Sequence, residues 1–199
     1  MRHLVLASAS SRRRRLLAQV GLEFEVEPSS IEEDFTSHVP ALGARSLARA
    51  KARAVQARRP GAVVIGADTV VVKDGVVLGK PRDPAEAESM LRRLSGSAHQ
   101  VITGVAVVDE QEEYVDHEVT TVWFRRLREE EIREYVASGE PMDKAGAYAI
   151  QGLGAVLVAR IEGDYYNVVG LPLTKTVLAL RRFGIEVLGG GAIPPEKRN

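Results

Sequence analysis

The sequence predicts an α/β fold, a mixed twisted sheet with flanking helices. Three observations carry this. Hydrophobic patterns with strand and helix periods alternate along the chain. One run, residues 62–72, is almost wholly apolar and β-branched, as in a strand covered on both faces. Helix-like segments open on capping residues and close on glycine.

Residues 4–7 form a short apolar run, the first strand. Ser10 and Ser11 are good N-caps for a helix that carries Leu16, Leu17 and Val20 and stops at Gly21. Leu22, Phe24 and Val26 alternate with glutamates, the pattern of a half-buried strand. Residues 42–58 space their apolar side chains as a helix does. The run at 62–72 is one long strand or a buried pair, and Asp74-Gly75 is a hairpin turn into Val76, Val77 and Leu78. Asp83-Pro84-Ala85-Glu86 joins a cap, a first-turn proline and a capping-box glutamate. It opens a helix that turns Ala87, Met90, Leu91 and Leu94 inward and ends near Gly96. Residues 101–108 and 115–124 are strands joined by the acidic turn Asp109-Glu110-Gln111-Glu112. Ile132, Tyr135 and Val136 mark a helix ended by Gly139, and residues 155–161 another strand. Pro172 opens a last helix through Val177, Leu180 and Phe183. Residues 189–199 lack periodicity and are expected to form a flexible tail.

At 199 residues and 45% apolar content, the chain suits one compact domain or two closely joined lobes, expected over residues 1–188. Lys+Arg and Asp+Glu both number 27, so the net charge is zero and any anion site must be local. That balance, with few aromatics, argues against stable nucleic-acid binding. The absence of cysteine excludes disulfides, thiolate zinc sites and a cysteine nucleophile, and it fits a reducing compartment. The N-terminal apolar run is too short for a secretory signal, and no stretch approaches the roughly 18 apolar residues of a membrane helix. The expectation is a soluble, cytoplasmic protein with no membrane partner.

The candidate chemistry sits where local rules are broken. Ser8-Ala9-Ser10-Ser11-Arg12-Arg13-Arg14-Arg15 follows a strand and opens a helix. A helix N-terminus attracts anions and repels cations, so arginines there suggest a bound anion. Successive helical residues point about 100° apart, so one or two arginines can face a cleft while the rest face water. A solvated basic face would have the same composition. Asp68 interrupts an apolar strand, where an unpaired carboxylate costs several kcal/mol. It needs a cation, a metal or an edge position, and a strand break with a turn-capping Asp is the bland reading. Lys51 shares a helix face with Leu47 and Val55. It either snorkels to a rim or reaches a buried phosphate or Asp68. Gly79-Lys80-Pro81 fixes a lysine between restrictive neighbours, though turns often contain such a tripeptide. Asp143-Lys144-Ala145-Gly146-Ala147-Tyr148-Ala149-Ile150-Gln151-Gly152 is rich in small residues and reads as a surface loop or a loop wrapping a ligand. His3, His38, His99 and His117 have no metal-ligand spacing.

In order and spacing these segments resemble the Maf family of nucleotide pyrophosphatases, related in fold to the inosine-triphosphate pyrophosphatases. The matching residues are Leu6-Ala7-Ser8-Ala9-Ser10-Ser11-Arg12-Arg13, Gly66-Ala67-Asp68-Thr69-Val70-Val71, Leu78-Gly79-Lys80-Pro81, Asp143 to Tyr148, Ile150-Gln151-Gly152 and Tyr166-Asn167-Val168-Val169-Gly170-Leu171-Pro172. The resemblance covers about residues 4–185, with Ser11 where the family usually has proline. It implies two lobes around a central cleft, hydrolysis aided by a divalent cation, Mg²⁺ or Mn²⁺, and a homodimer. By resemblance, Asp68 takes the place of the catalytic proton acceptor. Arg12, Thr69 and Gln151 take places linked to substrate choice in the dTTP/UTP branch. Ser8, Arg13, Lys51 and Lys80 look like the phosphate-contacting set. Glu33 matches an acidic position at the cleft and would share the metal with Asp68.

The implied reaction converts dTTP or UTP, and uridine triphosphates modified at C5, to the monophosphate and pyrophosphate. A Gln amide can match one carbonyl and the N3–H of uracil or thymine, while cytosine reverses that pattern. Two rivals remain at this stage. One is the family's 7-methyl-GTP branch, which the loop around Gln151 resembles less. The other is a nucleic-acid-binding or septum-inhibiting regulator using Arg12 to Arg15.

Overall fold

The computed structural model describes residues 2–31 and 37–188. The strands are β1 (Leu4–Leu6), β2 (Glu25–Val26), β3 (Val63–Lys73), β4 (Val76–Leu78), β5 (Ala98–Val108), β6 (Glu113–Phe124) and β7 (Val158–Glu162). The helices are α1 (Ser11–Gln19), α2 (Pro40–Gln56), α3 (Pro84–Leu94), α4 (Glu129–Ala137), α5 (Tyr165–Val169) and α6 (Leu173–Arg182). Short 3-10 turns occupy Glu140–Asp143, Ala145–Ala147 and Gly152–Leu157.

The sheet is mixed, in the order β2-β1-β3-β5-β6-β7, with β4 also on β3. β1 runs parallel to β2 and β3, while β3, β5, β6 and β7 pair antiparallel. The 62–72 run is one long strand, and Asp74-Gly75 is the hairpin turn into β4, paired Val72 to Val77. The α/β class expected from the sequence is therefore the one observed.

Several element bounds differ by a few residues from expectation, and three differences have clear physical reasons. Residues 22–26 alternate, yet only Glu25 and Val26 join a ladder. Leu22 and Phe24 instead pack from a loop against the cluster of Leu4, Leu6, Leu17 and Ile65, so the alternation reports packing rather than pairing. The strand expected from residue 155 begins at Val158, because residues up to Leu157 form a 3-10 turn. Helix α5 was not anticipated. It is short, and its start signal is one side chain: Asp164 accepts a hydrogen bond from the Tyr166 amide. The expected tail at 189–199 and Glu33 both lie outside the described residues.

Apolar clusters cover both faces of the sheet. On one face, α1 and α6 pack Leu16, Leu17, Leu180 and Phe183 against Ile65, Ala67, Val105 and Val107. Farther along the same two strands, Val71 and Val101 belong to a second cluster with Leu91, Leu94, Ile132 and Tyr148 from the α3–α4 region. The other face is covered by α2 through Ala48, Ala52 and Val55.

Helix α2 lies unusually close to the sheet. A Cβ on Gly66 would sit 2.2 Å from the Ala48 carbonyl oxygen, and one on Gly104 would sit 2.2 Å from the Ala44 carbonyl oxygen. Only glycine lets helix and strand backbones meet in this way. No helix among the described residues is long and apolar enough to cross a membrane.

Candidate active site

The sheet itself makes the cleft. β1 pairs with β3 only as far as Ile65, and β4 joins the same flank only from Val71. Among the described residues, 66–70 have a ladder partner on the β5 side alone. A cavity of about 610 Å³ opens at this gap, within the roughly 300–1,000 Å³ usual for small-molecule sites. One wall is the β1–α1 turn with Ser8, Arg12 and Arg13. Lys51, Asp68 and Thr69 also line it, with Lys80 from just after β4 and Asp143, Lys144 and Tyr148 from the segment after α4.

Asp68 and Lys51 form a buried ion pair. Lys51 Nζ donates to Asp68 Oδ1 at 2.6 Å, and the residues are 5% and 7% exposed. Gly66 and Asp68 are two apart on β3, so they share a face. The close approach of α2 over Gly66 thus brings Lys51 down to the carboxylate. No described residue bonds Asp68 Oδ2. The anomaly in the apolar strand resolves as a paired carboxylate lining a cavity, with Lys51 reaching Asp68 rather than a rim.

The arginine run divides as helix geometry requires. Arg12 and Arg13 line the cavity and are half-buried, while Arg14 and Arg15 are exposed. Ser11 starts α1, and Ser10 caps it by accepting from the Arg13 amide at 3.4 Å. Arg13 knits the wall together: Nε donates to the Gly170 carbonyl at 2.7 Å, Nη1 to Ser8 Oγ at 3.1 Å and Nη2 to Thr69 Oγ1 at 3.1 Å. Arg12 Nε donates to the Val169 carbonyl at 3.2 Å. Burial lowers the pKa of Arg12, the nearby Asp143 charge opposing and Arg15 reinforcing that shift. A guanidinium so placed gains from an anion in the cavity.

On the far wall, Lys144 Nζ donates to Asp143 Oδ1 at 2.5 Å and to the Glu140 carbonyl at 2.6 Å. Burial pushes the Asp143 pKa up, but the Lys144 hydrogen bond and the charges of Lys144 and Arg12 outweigh it and hold the carboxyl below its ordinary value. Tyr148 is buried and contacts His99 Nε2 through its hydroxyl at 2.7 Å. Burial, with some help from the charge of Lys73, holds the His99 pKa at about 4. His99 is thus a buried group that is neutral near pH 7.

Of the residues singled out from sequence, Ser8, Arg12, Arg13, Lys51, Asp68, Thr69 and Lys80 line one cavity. Gln151 is half-buried and is not among the lining residues. It precedes the 3-10 turn Gly152–Leu157, whose start is clamped by Glu140. That carboxylate accepts from the amides of Leu153 and Gly154 at 3.0 Å each and from the Tyr135 hydroxyl at 2.9 Å. Sequence reasoning missed Glu140, because a single loop glutamate has no distinguishing neighbours. It also missed Thr103, which is fully buried behind Thr69.

Among the described residues there is no group of three or more His, Asp or Glu able to hold a metal. Asp68 and Asp143 are the described carboxylates on the cavity wall. Mg²⁺ commonly takes only one or two protein carboxylates and completes its shell with water and substrate phosphates. Such a sparse donor set fits a metal that arrives with a triphosphate.

A family model described as "Maf-like protein" matches residues 3–183. The chain is 58% identical over 193 residues to a dTTP/UTP pyrophosphatase of Symbiobacterium thermophilum, covering 96% of this chain and 100% of that relative. It is 57% identical over 192 residues to a protein of the same name from Moorella thermoacetica, covering 95% and 99%. A dTTP/UTP pyrophosphatase of Bacillus pumilus is 48% identical over 186 residues, covering 93% and 98%.

Proposed function

The chain belongs to the Maf-like family, and from that premise we propose that it is a nucleoside-triphosphate pyrophosphatase acting on dTTP and UTP. The observation that carries the reading is the buried Lys51–Asp68 pair in a cavity ringed by Arg12, Arg13, Lys80 and Lys144. A triphosphate is an anion whose charge complements this ring, and the carboxylate supplies a base beside it.

In this reading Ser8 and the cationic side chains hold the phosphates. Water attacks the α-phosphorus and gives its proton to Asp68, the bond from that phosphorus to the α–β bridging oxygen breaks, and pyrophosphate leaves. Lys51 occupies Oδ1 and fixes the carboxylate, so Oδ2 is the oxygen presented to water. A divalent cation, Mg²⁺ or Mn²⁺, held by Asp68 with Glu33 and the phosphates, would neutralise charge on the leaving group. The relatives' names support dTTP and UTP as substrates. Acceptance of both is physically reasonable, since one methyl is worth only about 1–3 kcal/mol in a fitted pocket. A homodimer and a cytoplasmic location belong to the same reading and rest on the family resemblance.

The test is a nucleotide panel read by pyrophosphate release, with Mg²⁺, Mn²⁺ or chelator. dTTP and UTP are expected to lead, with activity lost in chelator. A wide margin for 7-methyl-GTP, or no release from any triphosphate, would overturn the reading. Light scattering on the purified chain tests the dimer.

A further inference from the structure

Hydroxyl groups can donate one hydrogen bond and accept two, so a buried chain of them has a direction set by its fixed ends. Behind the cavity, Thr103 Oγ1 lies 3.0 Å from the Asn167 carbonyl oxygen, and both residues are fully buried. A carbonyl only accepts, so the single Thr103 proton goes there. Thr103 Oγ1 also lies 2.9 Å from Thr69 Oγ1. With the Thr103 proton already committed, Thr69 must be the donor in that contact. Thr69 further accepts from Arg13 Nη2 at 3.1 Å. Its proton and one lone pair are thereby used, and what it offers the cavity is a lone pair.

Ser8, on the β1–α1 wall, has the opposite polarity. Its Oγ accepts from Arg13 Nη1 at 3.1 Å and from the Ser10 amide at 3.2 Å. Both acceptor positions are filled and no described residue takes its proton, so Ser8 offers the cavity a donor. Arg13 contacts both hydroxyls and accounts for one acceptor position on each.

We propose that Thr103 is a positioning residue that makes Thr69 an obligate acceptor, so that Ser8 receives phosphate and Thr69 receives the N3–H of uracil or thymine. An acceptor-only hydroxyl repels ionised phosphate oxygens, which have no proton to give, so the phosphates cannot lie at Thr69. Uracil and thymine present a donor at N3, whereas cytosine presents a lone pair there and would face another lone pair. A buried hydroxyl behind the wall thus sets base preference without touching the ligand. The inference rests on the pyrimidine-nucleotide reading above.

The experiment measures binding of UMP and CMP by calorimetry to the wild-type chain and to the Thr103→Val and Thr103→Ser variants. UMP is expected to bind wild type more tightly than CMP. Valine releases the Thr69 proton, which can then turn to either base, so the preference should fall about tenfold, the scale of one hydrogen bond. Serine keeps the hydroxyl and should keep the preference. Equal weakening of both ligands by valine, or a serine variant that behaves like valine, would show Thr103 to be merely structural and overturn the inference. Should the valine variant not fold, neutron diffraction of the wild-type protein decides: a Thr69 deuteron aimed at Thr103 supports the inference, and one aimed into the cavity overturns it. A wild-type chain that releases pyrophosphate from UTP but binds UMP and CMP alike sinks the inference and leaves the reaction standing. A chain that prefers UMP yet turns over no triphosphate does the reverse.

Discussion

Lys51 of α2 and Asp68 of β3 meet at 2.6 Å, although they come from a helix and a strand that must touch backbone to backbone to allow it. Each is an expensive residue to bury, and each is the other's partner. The pair ties the chemistry of the cavity to the packing of the whole layer, and several expected outcomes follow from that link.

Asp68→Asn retains an acceptor for Lys51 and removes the proton acceptor. The fold should survive, by circular dichroism, while pyrophosphate release falls about a hundredfold or more. Near-normal turnover would place the base elsewhere. Lys51→Ala acts differently, because it strands the carboxylate. Breaking a buried pair from one side costs roughly 3–5 kcal/mol, so thermal denaturation should show a lowered melting point along with lost activity.

Gly66→Ala adds only a methyl, yet that methyl would meet the Ala48 carbonyl oxygen and the Ala52 amide nitrogen. Overpacking of this kind costs about 1–3 kcal/mol and must lift α2 from the strand. Both stability and turnover should drop, since Lys51 is carried away with the helix. Unchanged kinetics in a destabilised variant would separate the two.

Arg13→Lys keeps the charge but not the three-way contact with Gly170, Ser8 and Thr69. A single ammonium cannot replace a planar guanidinium at all three oxygens. Steady-state kinetics should give kcat/KM for UTP lowered by about tenfold or more. A variant with wild-type kinetics would show that only the charge matters.

His99 predicts a pH effect on stability. Its folded pKa, about 4, lies below the ordinary 6.5, so the unfolded chain binds its proton more readily. The stability it contributes is fully present above pH 6.5 and is lost as pH falls through about 4. Melting temperatures followed across that window should decline, and His99→Gln should flatten the decline. An equally steep decline in the variant would assign it to other groups.

Glu140→Gln should loosen the loop that carries Gln151, since the carboxylate holds two amides and the Tyr135 hydroxyl. Faster hydrogen exchange at Leu153 and Gly154 is the direct measure. No change there would mean that the loop is held by its packing.

Much of this was legible in the sequence because it broke local rules. A carboxylate inside an apolar strand, arginines at a helix start and a lysine on an apolar helix face each demand a partner, and Asp68, Arg12, Arg13 and Lys51 are found on one cavity. What escaped reading breaks no rule. Thr103 is an ordinary strand threonine until the neighbouring strand places Thr69 beside it. Gly66 and Gly104 look like any glycines until α2 lies across them. Gln151 stands half-buried just before the 3-10 turn Gly152–Leu157, and its place in the site rests on the family resemblance.

Among the described residues, β3 has no ladder partner on one flank at 66–70. An open strand edge ordinarily invites a second chain to add a strand, which is how aggregation begins. Here the edge lines a cavity that Arg12, Arg13, Lys80 and Lys144 also line. A foreign strand would have to pass these cationic side chains, whereas a small polyanion is drawn to them. The ring that suits a nucleotide therefore also discourages strand addition at this edge of β3.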